Sequence, residues 1–177
     1  HWMVRRQRQM CIRDSLWDTE SQKASVRHAL EMAENLPVKV ALSLSDPFCV
    51  ERHHQDFNEL IRSRVDLIFC NQEEAFTMME TQVTQEALAG LSENVETVVM
   101  TLGNRGSLIC NQGQIYYIDP IEVEVVDTTG AGDAYAAGFL YGFSHDQSIM
   151  NCGRIASVMA GTVIEQIGPR IENTSMK

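Results

Sequence analysis

The feature that most constrains this chain is a repeated hand-over from short, almost wholly apolar runs to amphipathic segments. VKVALSL (38–44), DLIFC (66–70) and VETVVMTL (95–102) carry β-branched and apolar residues with little polar alternation. Strands of that kind have no face to turn to water, so they predict a mostly parallel sheet covered on both faces. The segments between them have helical periodicity. SQKASVRHALEMAENL places Val26, Ala29, Leu30 and Ala33 on one stripe, and Pro37 ends it. RHHQDFNELIRSRV reads as one further helix with Phe57, Leu60 and Ile61 inward, and its paired His53 and His54 as a solvated face. NQEEAFTMME and TQEALAGLSE continue the alternation. SLICNQGQIYYID reads as a hairpin around Asn111-Gln112-Gly113. EVEVV (122–126) predicts a strand, AYAAGFLYGF a helix, and SIMNCGRIASVMAGTVIEQI a last helix apolar on nearly all sides. Strands alternating with helices define an α/β fold.

Charge and cysteine usage exclude several roles. Lysine plus arginine number 14 against 24 aspartate plus glutamate, a net charge of -10 over 177 residues. Such a field repels nucleic-acid phosphates. The one basic cluster, HWMVRRQRQMCIR, lacks the interleaved aromatics on which bases stack. No nucleic-acid partner is expected. No apolar run approaches the ~20 residues of a membrane helix, so no membrane partner is expected either. Cys11, Cys49, Cys70, Cys110 and Cys152 have no paired metal spacing. They read as free thiols in a reducing cytoplasm. Residues 1–15 have clustered arginines and no amphipathic period, and are expected to be an unrelated or disordered leader. Residues 16–177 are expected to carry the fold.

In a doubly wound sheet, ligands bind beyond the carboxyl ends of the strands. Three polar clusters are expected there: NQEE (71–74), TLGNRG (101–106) and DTTGAGD (127–133). In DTTGAGD, two glycines leave amides uncovered ahead of a helix, and the helix dipole favours an anion. Asp133 is then either the helix N-cap or a base that takes a proton from a hydroxyl attacking a bound phosphate. TLGNRG suits close approach of a phosphate or ribose, or is a plain turn. Asn71 and Glu74 suit a capping pair, or a site for the waters of a phosphate-bound magnesium ion. A dinucleotide fingerprint would need a third glycine where Tyr135 stands, and no P-loop pattern occurs. A dehydrogenase is therefore a distant alternative.

These residues resemble the ribokinase-like (PfkB) carbohydrate and nucleoside kinases. DTTGAGD with an AxxAGF helix is similar to that family's C-terminal signature, NQEE to its NxxE element and TLGNRG to its TxGxxG turn, in the family's order. The resemblance covers residues 16–177 and is strongest to bacterial adenosine kinases. It implies a three-layer αβα ribokinase-like sandwich with a mostly parallel sheet, incomplete at its N-terminal side. It further implies ATP-dependent transfer of the gamma-phosphate to a primary hydroxyl of a nucleoside, adenosine favoured, or of a sugar as in ribokinase or fructokinase. Asp133 would be the catalytic base, with Gly130, Ala131 and Gly132 as anion hole. Asn71, Thr101, Gly103, Asn104 and Gly106 would bind ATP, with the helix from Cys152 to Ala160 on the adenine side. Glu74 would reach Mg2+ through water, and Asp127 and Thr129 would hold a monovalent cation such as K+. Family members are roughly twice this length. A truncated, non-catalytic nucleotide-binding or interaction module is therefore the alternative reading. An open sheet edge would favour pairing with another chain, as in a homodimer.

Overall fold

A computed structural model describes residues 8–12 (backbone), 17, 19–44 and 46–169. The described chain runs β1 (Arg8–Ile12), α1 (Glu20–Glu34), β2 (Val38–Ser43), α2 (Pro47–Arg52), α3 (His54–Ser63), β3 (Leu67–Asn71), α4 (Gln72–Met79), α5 (Thr84–Ser92), β4 (Thr97–Thr101), a 3-10 turn (Gly103–Arg105), β5 (Ser107–Asn111), β6 (Gln114–Ile118), α6 (Ala131–Ser144) and α7 (Ile149–Ile164). The strands form a six-stranded sheet in the order β1-β2-β3-β4-β5-β6. Two compact units divide the chain: residues 1–101 with 109–115, and residues 102–108 with 116–177.

In the first unit β1 to β4 are parallel, with Cys11 opposite Ala41, Ala41 opposite Leu67, and Leu67 opposite Thr97. Arg8–Ile12 lies inside the segment the sequence set apart as a leader, and its backbone there pairs with β2. The apolar runs are buried as expected: Leu42, Ile68, Val98, Val99 and Met100 have no measurable exposure. Thr19 caps α1, whose Val26 and Leu30 are buried. SDPF does more than close β2. Asp46 accepts the Phe48 amide at 2.9 Å and Pro47 occupies the first turn, so a separate helix α2 starts there. The expected single helix over 52–65 therefore begins only at His54, although its inner face of Phe57, Leu60 and Ile61 is as predicted. His53 and His54 are half-buried rather than a solvated face, and His54 Nε2 lies 2.9 Å from the Met78 carbonyl oxygen. Lys39, on β2, binds Asp66 at 3.1 Å and also Glu96, fastening the starts of three neighbouring strands.

In the second unit α6 and α7 pack through small residues. A Cβ on Gly138 would stand 2.8 Å from Ala156 Cα, and one on Gly142 3.1 Å from Cys152 Cα. Phe139, Cys152 and Ala156 are fully buried there. The last helix is not buried all round: Asn151, Arg154, Val158 and Thr162 make an exposed stripe. EVEVV is not a strand. Residues 119–128 form neither helix nor strand; Val126 and Asp127 donate their amides to the Ile164 carbonyl at 2.8 and 3.2 Å. Ile121 and Val123 rest against Gly161 of α7. Alternation gave this segment strand character, but a ladder needs a partner strand, and here the backbone bonds go to a helix end. The Gln112-Gly113 turn has φ of 50° and 80°, the left-handed pair of a tight hairpin. Cys49, Cys70, Cys110 and Cys152 are free and buried, while the Cys11 side chain lies outside the described residues.

Candidate active site

The register of the parallel strands sets Asn71, the last residue of β3, opposite Thr101, the last of β4. Two of the three polar clusters thus begin side by side at neighbouring strand ends. Asn71 is the N-cap of α4 and forms a reciprocal pair with Glu74. Asn71 Oδ1 accepts the Glu74 amide at 2.8 Å; the Asn71 amide and Nδ2 donate to the Glu74 carboxylate at 2.9 and 2.7 Å. Glu74 is 5% exposed and has a further interaction in the fold. The capping alternative is therefore realised, which fixes the carboxylate rigidly at the strand mouth. Burial, with a smaller push from Glu74, drives the neighbouring Cys70 thiol well above its ordinary range, so it is an inert packing group. Thr101 directs its hydroxyl to the Cys70 carbonyl at 3.5 Å.

In the second unit the glycine turn after β4 is tightly built. Leu102 donates to the Gly106 carbonyl at 2.8 Å and Gly106 to that of Gly103 at 3.1 Å. Gly106 has φ 82° and ψ -135°, and a Cβ there would stand 2.0 Å from the Ile118 carbonyl oxygen. Only glycine fits this approach of two backbones. Gly103 and Asn104 are exposed on the same turn.

The loop before α6 is organised by Asp127. Its carboxylate accepts the amides of Thr129 and Gly168, each at 2.9 Å. The Thr129 backbone bond, then its hydroxyl and the Gly168 amide, hold the Asp127 carboxyl below its ordinary range. Thr129 is exposed. Gly130, at φ 80°, is the residue that caps α6, and a Cβ on it would meet Pro169 at 2.5 Å. Asp133 is therefore not the N-cap. It stands in the first turn, exposed, and is one of the residues with a further interaction in the fold. The Ala131 amide, a member of the anion hole that the resemblance implies, donates to the Thr128 carbonyl at 3.1 Å. No backbone acceptor for the Gly132 amide occurs among the described residues, and a Cβ there would meet nothing within 4 Å. The N-terminus of α6 thus offers an open amide, the positive end of a dipole and a carboxylate one residue away.

A group the sequence did not single out lies behind this surface. Tyr135, buried one turn into α6, has its hydroxyl 2.5 Å from that of Ser107, the first residue of β5. No local pattern links residues 28 apart in sequence. Among the described residues no group of three or more His, Cys, Asp or Glu side chains could hold a metal ion, and no helix is long and apolar enough to cross a membrane.

In the first unit the parallel strand ends open into polar clusters, the side on which α/β sheets bind ligands; in the second, the α6 N-terminus offers an amide beside a carboxylate. The profile of the pfkB family carbohydrate kinases matches residues 2–176, and the chain belongs to that family. Its fold is ribokinase-like. The crystal structure of a probable sugar kinase from Rhizobium etli superposes with TM-score 0.90 at 36% identity, over 93% of this chain and 50% of that one. The adenosine kinase from Sinorhizobium meliloti superposes with TM-score 0.89 at 38% identity, over 92% and 50%. An uncharacterized sugar kinase of Archaeoglobus fulgidus is 32% identical over 120 residues, 68% of this chain and 48% of that protein. The chain thus spans about half the length of the curated relative and of the two crystal structures.

Proposed function

We propose that this chain carries the nucleotide-binding and phosphoryl-transfer part of an ATP-dependent kinase acting on a primary hydroxyl, with adenosine the favoured acceptor and a sugar the alternative. The observation that carries this is the placing of Asp133: it is displaced from capping by Gly130 and stands exposed beside the open Gly132 amide. A carboxylate next to an anion-attracting amide is repelled by the ligand that amide attracts. The pairing is useful where the carboxylate takes a proton from the attacking hydroxyl. In this reading Asp133 removes the acceptor proton, the acceptor oxygen attacks the gamma-phosphorus, and the bond to the ADP oxygen breaks. Charge gathering on the phosphoryl oxygens meets the Gly132 amide, with Gly130 shaping the turn and Ala131 supporting it through Thr128. Gly103, Asn104 and Gly106 would hold the nucleotide, with Thr101 at the mouth of β4.

The donor set fits a magnesium ion bound mainly by ATP, since that ion keeps several waters and the Asn71–Glu74 pair could order them. Magnesium would supply neutralisation of phosphate charge. Asp127, kept ionised by two amides, fits a monovalent cation with Thr129. Its part would be to fix the loop that carries Gly130. The adenosine preference draws on the likeness to the Sinorhizobium meliloti enzyme, an adenosine kinase by name.

The half-length match to known relatives supports a second reading, in which the 177-residue chain binds nucleotide without turning over. Radiolabelled gamma-phosphate transfer from ATP to adenosine, ribose and fructose separates the two. Turnover with any acceptor, lost by several orders of magnitude in Asp133→Asn while ATP binding persists, supports the first reading. Near-normal turnover in Asp133→Asn would remove Asp133 from the chemistry.

A further inference from the structure

Tyr135 points to a device that the nucleotide reading alone does not require. Its hydroxyl lies 2.5 Å from Ser107 Oγ and donates to the Gly153 carbonyl at 3.5 Å. Tyr135 is 6% exposed and Ser107 is fully buried. The surroundings are apolar: Phe139, Cys152 and Ala156 are fully buried beside them. Burial pushes the Tyr135 phenol above its ordinary range, while Ser107 and Ser157 oppose the rise, so the proton stays on the phenol.

Two hydroxyls buried together in apolar surroundings need a reason. Exchanging both partners of such a bond for apolar groups of similar shape is nearly neutral for stability, whereas leaving one unpaired is costly. Packing alone would be served by phenylalanine and alanine. What the hydroxyls add is direction, because hydrogen bonds fix an angle and apolar contacts do not. The directions fixed here are informative. Ser107 follows Gly106 of the glycine turn, Tyr135 follows Asp133 by two residues, and Gly153 lies on α7, the helix expected to line the adenine side.

We propose that Ser107, Tyr135 and the Gly153 carbonyl form a positioning node that registers the 103–106 turn against the first turn of α6, and so holds the nucleotide's two ends at a set separation. The inference rests on the proposed nucleotide role of those two segments. Tyr135 is a positioning residue: it acts through Gly106 and Gly132 without touching the ligand.

The test compares wild type, Tyr135→Phe, Ser107→Ala and the double variant with Val163→Ala, a buried α7 residue that serves as a stability control. Amide exchange is read by mass spectrometry, and Mg·ATP affinity by calorimetry. Tyr135→Phe and Ser107→Ala are expected to speed exchange at 103–107 and 130–134 at least threefold more than elsewhere. They are also expected to weaken Mg·ATP about three- to tenfold. The double variant should lose no more than either single one, since all three remove one unit. Val163→Ala should lower the melting temperature while leaving both readings at wild-type values. Exchange that rises evenly over the chain in Tyr135→Phe, or rises locally with ATP affinity untouched, overturns the positioning role. A wild-type chain that binds no ATP overturns the nucleotide reading; even exchange in Tyr135→Phe then also removes the node, and local exchange leaves it as a register without that ligand.

Discussion

Gly132→Ala separates the two reasons a glycine can stand at the second position of α6. If the helix alone mattered, alanine would be the better residue, by up to about 0.5–1 kcal/mol. Space does not forbid it, since a Cβ there would meet nothing within 4 Å. For a chain of this size 1 kcal/mol moves the melting temperature by about 2–4 °C. The variant is therefore expected to melt about 1–4 °C higher. Ligand binding should move the other way. On the reading that a phosphoryl oxygen reaches the Gly132 amide, a methyl on the adjacent Cα crowds its approach. Loss of one hydrogen bond to a charged group amounts to about 1.5–3 kcal/mol, which is about ten- to a hundredfold in affinity. Scanning fluorimetry gives the first quantity. Calorimetry with a non-hydrolysable ATP analogue gives the second, and ADP, which lacks the transferred phosphate, should lose far less. A stabilised variant that binds the ATP analogue like wild type would refute the assignment of this amide to the phosphoryl group. A lowered melting point would show instead that the glycine is there for packing.

Two further changes test the fold. Gly138→Ala places a methyl 2.8 Å from Ala156 Cα and 3.0 Å from the Ile155 carbonyl, both backbone; a loss of about 1–3 kcal/mol, read as a lower urea midpoint at unchanged slope, is expected. Glu96, held below its ordinary value of 4.5 by the Lys39 bond and then by Gln112, contributes stability that is full above about pH 4.5. That contribution is lost as pH falls through the depressed folded value. Both partners are more than a third exposed at the side chain, so the gap between wild type and Glu96→Gln should be below about 1 kcal/mol at pH 7, and should narrow in urea titrations as pH falls below 4.5.

What could be read from the residues was local. LIFC and TVVM had to lie in covered strands because they offer no polar alternation to turn to water, and β3 and β4 are buried throughout except at their last residues. Phe57, Leu60 and Ile61 faced inward for the same reason. The misreadings concern groups whose partners are distant. EVEVV has strand character in its own residues, but its amide bonds go to Ile164, some forty residues on. RHHQ could not show that Asp46 and Pro47 start a helix of their own and that the chain breaks at His53. Whether Asp133 caps α6 turned on Gly130 taking φ 80° and the cap position, where Pro169, 39 residues on, leaves no room for a side chain. Ser107 and Tyr135 gave no sign, because neither has a polar neighbour in sequence that explains the other.

The bond from the Gly168 amide to the Asp127 carboxylate joins residues 41 apart, and it sets an order of events during synthesis. Asp127 emerges first and α6 and α7 follow, yet the loop that precedes Gly130 has its second anchor only when Gly168 has been made. At translation rates of about 5–20 residues per second, that interval is roughly 2–8 s. α7 itself is complete only at Ile164, just before Gly168, so the pairing of α6 with α7 and the second anchor of the loop become available almost together, and a chain cut before Gly168 lacks that anchor.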